Sequence, residues 1–410
     1  MKFKNPVALV ALALFIPFLV LSLGDELQAA EVDLKPGDTV GPHNWQKVQG
    51  MVGENLLLRI KQGYSFKIKP AKHYKAPKEY LVATEKYSSR VALGRNGELL
   101  NYTAGLPFPT FDANDPQAGL KLAWNFYWRW WGDDYKDGGG TNSGKLIRNI
   151  IEKDGSERRF DNVTHNINTR SRVTLGSKPS VPGYEHIDWM QILASEYPRD
   201  TAGTTILEIR YSDAQKEDDF YVYVPSLRRV RRVPAIQRCE TITGAEHNHD
   251  DINGFRGKIT DFKYKFLGER KILGNFSQAH LPIRRSAGNY LPLDEAWEVH
   301  DAYVLEITPK DPNYCYQKKV LYIDKTTFES IWNMSWDKRD NYWREHVGFL
   351  VPVKLSDGQE VWSYGTVISA NVQNGRSTVI TIVRAFNQGY QPTLFTHATL
   401  QTVMRGGSLR

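Results

Sequence analysis

Catalytic signatures are the first thing this sequence lacks. It holds no Gly-x-Ser-x-Gly elbow, no zincin helix and no reactive-cysteine signature. Carboxylates are plentiful, but none forms an evident acid/base pair against an aromatic cleft. Beyond residue 30 no apolar run approaches the roughly 20 residues that a spanning helix needs. No internal repeat and no low-complexity segment is evident. Cysteine is scarce too, with only Cys239 and Cys315 in 410 residues. Neither lies near the N-terminus, so there is no site there for a lipid anchor.

What is present at the N-terminus reads as a secretory signal over residues 1–30. Lys2 and Lys4 form the charged region, Val7 to Leu23 is an almost unbroken apolar run, and Ala29-Ala30 offers small residues for cleavage. Pro17 inside the run suits a removed signal better than the alternative, an uncleaved anchor. The expected location is therefore the periplasm of a Gram-negative bacterium. The net charge of +7 survives signal removal, because Lys2 and Lys4 cancel against Asp25 and Glu26. Export argues against nucleic acid as the partner of that charge, and favours anionic envelope surfaces. In an oxidising compartment Cys239 and Cys315 read first as a disulfide. Two separately buried thiols are the alternative, since sequence cannot show that they meet.

Aromatic residues make up 12% of the chain, and strand formers recur throughout, which predicts a mainly β fold. Leu56 to Ile60 and Tyr64 to Ile68 read as short strands around Gln62-Gly63, and Gly94 to Gly97 as a turn. Asp115 as N-cap and Pro116 at the first helical position open a helix expected to run to about residue 131. Beyond residue 145 the spacing predicts an antiparallel meander: 205–211, 259–267, 302–307, 319–323, 330–336, 361–370 and 377–385. A closing helix is expected over 392–405.

The aromatic helix is the first candidate ligand-facing element. Trp124, Phe126, Tyr127, Trp128, Trp130 and Trp131 crowd eight residues and wrap all sides of it. Such a helix is buried all round, or has one face covered by something other than its own fold. The second candidate is Tyr221 to Pro234, in which Arg228, Arg229, Arg231 and Arg232 follow a Pro225-Ser226 turn. A two-residue turn would set Asp219 opposite Arg232 and Tyr223 opposite Arg228. This hairpin reads either as a charged edge that prevents edge-to-edge pairing or as a docking surface for an anionic partner. Gly139 to Lys145 matches the first part of a phosphate-binding loop, but Leu146 stands where the magnesium-binding hydroxyl belongs. His247 to Asp251 has metal-ligand residue types, but its flanking Gly244 and Asn253-Gly254 make it a polar loop, so no metal and no cofactor is expected.

Four blocks together resemble one family. They are Asn101 to Pro109, Asp115 to Asn125, Tyr221 to Arg232 and Asp250 to Phe255. In this order they occur in the exported proteins of domain of unknown function family 1329, which is similar to the LolA/LolB superfamily of lipoprotein carriers. The resemblance implies a strongly curved, incompletely closed antiparallel barrel with helices at its mouth and an apolar cavity. It implies residues 31–150 as an N-terminal extension and 151–410 as a LolA-like half-barrel. It carries over no catalytic residue. Family members tend to be encoded near transporters of the resistance-nodulation-division (RND) type. The expected function is a periplasmic carrier, not an enzyme, for a lipid, lipoprotein acyl chain or other hydrophobe. Trp124, Tyr127, Trp128, Trp130 and Trp131 would meet the ligand, and the four hairpin arginines an anionic head group or membrane. Expected partners are the ligand, an RND-type transporter or outer-membrane protein, and an anionic membrane surface. An exported enzyme acting on an envelope lipid or other hydrophobic substrate, and a structural subunit of an efflux complex, are the alternatives.

Overall fold

The connection between two strands decides the architecture. In the computed structural model, which describes residues 33–234 and 238–402, fifteen strands form one antiparallel sheet. Five of them pair in chain order along one wing: β7 (Glu157–Asn168), β8 (Ile187–Tyr197), β9 (Thr205–Tyr211), β10 (Asp219–Val224) and β11 (Arg229–Arg232). The other wing runs through β12 (Phe262–Gly274), β13 (Glu298–Pro309), β14 (Lys318–Asp324), β15 (Ser330–Trp336), β16 (Tyr342–Lys354), β17 (Glu360–Asn371) and β18 (Ser377–Thr381). The wings join where β18 pairs with β6 (Leu146–Ile151), which also pairs with β7. Off this path, β5 (Asp134–Asp137) pairs with β7 and with β19 (Arg384–Phe386). The edge strands are thus β11 and β12, neighbours in sequence at opposite ends of the sheet. They do not pair, so the curved sheet is not closed into a barrel. The chain between them, described over residues 233–234 and 238–261, leads from β11 at one end of the sheet to β12 at the other.

Residues before the sheet supply small elements. Two-stranded ribbons form from β1 (Thr39–Val40) with β2 (Phe66–Lys67) and from β3 (Ala92–Leu93) with β4 (Leu99–Leu100), the latter around the expected Gly94 to Gly97 turn. The helices are α1 (Glu54–Lys61), α2 (Lys78–Tyr87) and α3 (Ala118–Tyr127). Leu56 to Ile60 lies inside α1, not in a strand. A short apolar run does not separate the two states, and here a distant carboxylate decides. Glu345 on β16 accepts the backbone N–H groups of Asn55 (2.8 Å) and Leu56 (3.1 Å), which satisfies donors that a helix start leaves open. Residue 150 lies within β6, and the described residues 33–234 and 238–402 belong to one compact unit. The signal-like residues 1–30 lie outside the described residues. So does the end of the expected C-terminal helix, of which α4 (His397–Thr402) is described. Among the described residues no helix is long and apolar enough to cross a membrane.

The α3 helix lies against β12 and β13. Its Leu122, Ala123 and Phe126 pack with Phe255, Phe262, Leu305, Ile307 and Leu321 in a dry core. Gly119 is required there, because a Cβ would meet the Tyr264 carbonyl at 2.8 Å. The Asp115 carboxylate accepts the Gln117 N–H at 2.7 Å and fixes a turn three residues before the helix begins. The helix then stops at Tyr127, four residues short of the sequence expectation. Four large rings on every side of one helix cannot all find neighbours. Past the helix end they separate: Trp128 stacks on Tyr102, Trp130 meets Trp362 and Phe386, and Trp131 packs on Tyr135.

Candidate functional site

The segment Tyr127 to Asp133 forms one wall of a cavity of about 70 Å³. Trp128, Trp130, Trp131, Tyr135, Trp189 and Phe255 supply most of its apolar lining. A second cavity of about 50 Å³ adjoins it, and Tyr127 and Trp128 line both. Trp124 lines the second cavity only and donates its indole N–H to the Gly97 carbonyl at 2.8 Å. Three of the quoted sequence blocks meet here. Asn125 binds both the N–H and the carbonyl of Phe108, and Tyr102 stacks on Trp128 with centroids 4.7 Å apart. From α2, Tyr80 donates its hydroxyl to the Trp128 carbonyl at 2.7 Å. Asn253 accepts Arg129 on its carbonyl at 3.1 Å and Arg384 on its side chain at 2.5 Å.

Buried ion pairs hold this wall. Arg129 binds Glu329 at 2.7 Å with both side chains almost fully buried, and Arg384 binds Asp137 at 2.8 Å. Both guanidinium groups lie against the ring of Trp131, 4.1 and 4.5 Å from its centroid. Adjacent acids anchor the following loops. Asp133 accepts the N–H groups of Val173, Thr174 and Leu175, and Asp134 those of Gln388, Gly389 and Tyr390. Every carboxylate on this wall is therefore engaged.

The crossover between the edge strands holds a second network. Arg238 bridges Glu208, Asp218 and Asp250, while Asp218 also binds Arg210 at 2.7 Å. Burial pushes the Glu208 carboxyl up, but Arg256, Arg238 and Arg210 outweigh that and hold it at about 2. Asp251 is held low in the same way, chiefly by Lys319, and accepts the Tyr316 hydroxyl at 2.6 Å. Burial lowers both His249 and His346 to about 4. A disulfide between Cys239 and Cys315 fastens the crossover, between Arg238 on one strand of the bond and Tyr314 and Tyr316 on the other. From the sequence His247 to Asp251 reads as a polar loop. It is the junction of these networks, and only its partners, scattered over the chain, reveal that. His247 is buried with its pKa well lowered by burial, and among the described residues no cluster of His, Cys, Asp and Glu could hold a metal.

The hairpin sits elsewhere. Its turn spans four residues, Pro225 to Arg228, with Arg228 at φ 49°, so Tyr221 faces Arg232 and Tyr223 faces Val230. This corrects the expected register by two residues. The Asp219–Arg232 ion pair forms nonetheless, diagonally, at 2.8 Å. Tyr221, Tyr223 and Val230 pack toward a cluster with Tyr390, Phe395 and Leu400. Arg228, Arg229, Arg231 and Arg232 are exposed on the edge hairpin and line neither cavity. The Gly139 to Lys145 loop links β5 to β6; a strand follows it, not the helix a phosphate-binding loop requires.

A family model described as "Protein of unknown function (DUF1329)" matches residues 39–401. The chain belongs to the DUF1329 family. No functionally curated protein matches it. A domain from Vibrio parahaemolyticus, whose name refers to outer membrane lipoprotein sorting, superposes with a TM-score of 0.50 at 19% identity, over 71% of this chain and 100% of its own. A DUF1329 protein from Desulfovibrio piger gives a TM-score of 0.50 at 19% identity, over 70% of this chain and 98% of its own. At these identities the likeness shows the fold that this DUF1329 chain shares with them. A LolA superfamily protein from Nitrosomonas europaea matches at 14% identity and a TM-score of 0.41, over 66% of this chain and 93% of its own, too distant to carry an argument.

Proposed function

We propose that this protein is an exported, periplasmic binding protein that carries a hydrophobic ligand, such as a lipid or an acyl chain, for an envelope transport system. One observation carries the reading: the cavity wall is built of tryptophan and tyrosine rings, and its carboxylates are all tied to arginine or backbone N–H groups. An apolar site with no uncommitted acid or nucleophile is suited to holding a ligand rather than transforming it. The sorting function in the name of the Vibrio neighbour is in keeping with this.

At about 70 Å³ the cavity takes a short segment of ligand. A whole acyl chain requires it to join the adjoining 50 Å³ cavity by displacement of the Tyr127–Trp128 partition. Native mass spectrometry of protein purified from its own host tests the proposal. A co-purifying hydrophobe is expected, and its removal should change the tryptophan fluorescence. Protein that emerges empty, and whose fluorescence ignores decane, decanol and decanoate, would overturn the reading.

A further inference from the structure

The polar atoms around the larger cavity are unbalanced. The indole N–H groups of Trp128, Trp130 and Trp131 are buried without a hydrogen-bond partner among the described residues, and so is Nη1 of Arg256. All four residues line the cavity. Against these four donors stands one unpartnered acceptor, the side-chain oxygen of Asn166. Buried donors normally find acceptors, and leaving one unmet costs about 1–3 kcal/mol. Outside the cavity Trp124, Trp332 and Trp362 donate their indole N–H groups, to Gly97, Leu273 and Glu329, while that of Trp297 is unpartnered; only around this cavity do three such indoles gather.

Arg256 is also a buried cation without a hydrogen-bonded carboxylate partner among the described residues. Its nearest carboxylate, Glu208, lies at 3.6 Å, beyond hydrogen-bond reach, and is held more tightly by Arg238 at 2.6 Å. The guanidinium instead covers the face of Trp189, 3.8 Å from the ring centroid. A water that filled the cavity would bring donors of its own. A group that only accepts fits this surplus better, and an ionised carboxylate offers about four lone-pair sites and a single charge.

We propose that the larger cavity recognises the carboxylate of a hydrophobic acid, with Arg256 and the indole N–H groups of Trp128 and Trp130 as its donors and the surrounding rings as its apolar seat. This rests on the binding-protein reading of the same cavity and names the ligand class within it. The donors then read the head group, while the apolar lining is indifferent to it.

Calorimetric titration of the delipidated full-length mature protein with decanoate, 1-decanol and decyl phosphate tests this. Decanoate should bind about tenfold or more tightly than decanol, the ratio expected for one charge-assisted hydrogen bond. Trp130→Phe and Trp128→Phe keep an aromatic ring and delete the donor, so each should weaken decanoate severalfold and leave decanol unchanged. Arg256→Met should abolish the preference; if that variant misfolds, the two Phe variants decide. Equal binding of decanoate and decanol, insensitive to both Phe substitutions, overturns the carboxylate site and leaves the hydrophobe carrier standing. Tighter binding of decyl phosphate than of decanoate overturns the choice of carboxylate. Failure of all three probes to bind overturns the carrier reading beneath it.

Discussion

Two sets of arginines in this fold obey different physics. Arg129, Arg210, Arg238, Arg256 and Arg384 are buried or nearly so, lie against carboxylates and aromatic faces, and come from distant parts of the chain. Arg228, Arg229, Arg231 and Arg232 are contiguous and exposed, and only Arg232 has an ion-pair partner among the described residues. The interior set specifies how the crossover and the cavity wall are seated. The surface set marks an edge. A dense cluster of charge in a sequence is therefore a poor guide to where charge matters energetically, because screening by water scales down whatever remains exposed.

The sharpest test of that difference neutralises one carboxylate on each side. Glu329→Gln keeps shape and leaves Arg129 buried and uncompensated. Urea unfolding should show a loss of about 3–5 kcal/mol, the cost of breaking a buried pair by removing one partner. Asp219→Asn removes the partner of Arg232, whose side chain is 60% exposed, and should cost under about 1 kcal/mol. Comparable losses from the two variants would break the distinction between interior and surface sets.

Acid provides a second, smaller contrast. His249 and His346 lie beside the interior networks, and burial keeps their pKa near 4, below the usual 6.5. Between those values the unfolded chain binds more protons, so their stabilisation is complete above pH 6.5 and is lost as pH falls toward 4. A loss on the order of 1 kcal/mol per imidazole is expected between pH 7.5 and 5, seen as a lower urea midpoint. The Glu208 contribution has the same sign in a lower window: with a pKa of about 2 against 4.5, it persists until pH falls below about 4.5. An unchanged midpoint from pH 7.5 to 5 would show that these imidazoles are not held neutral.

The same contrast governs what could be read in the sequence. Strands with alternating or wholly apolar residues were legible: β9 and β15 fall on their expected residues, and β14 within one residue. Strands β7 and β16 were not, because their buried faces carry Asn162, Thr164, His165 and Asn166 or Arg344, Glu345 and His346, which no apolar pattern betrays. A buried polar residue is intelligible only once its partner is known, and here the partners are far apart in the chain: Arg129 and Glu329, Asp251 and Lys319. Local crowding of rings around residues 124–131 pointed to the segment that lines both cavities. It did not reveal the end of α3 at Tyr127 or the role of Asn253 beneath the wall.

The smallest stability effect, and the most telling for function, belongs to the hairpin. The opposite edge strand, β12, is basic as well, with Lys263, Lys265 and Lys271 exposed. Two edges of like charge repel when a β11 of one molecule approaches a β12 of another, which is how open sheets avoid pairing into fibres. Reversal of Arg228, Arg229, Arg231 and Arg232 to Glu would make the edges complementary. If edge protection is their role, the variant should keep its stability within about 1 kcal/mol and assemble head to tail, seen as concentration-dependent oligomers in size-exclusion chromatography that dissolve in salt. If the arginines instead dock on an anionic surface, the variant should remain monomeric and lose its sedimentation with vesicles containing phosphatidylglycerol. The second outcome would restore a binding role to the surface set and end its contrast with the interior one.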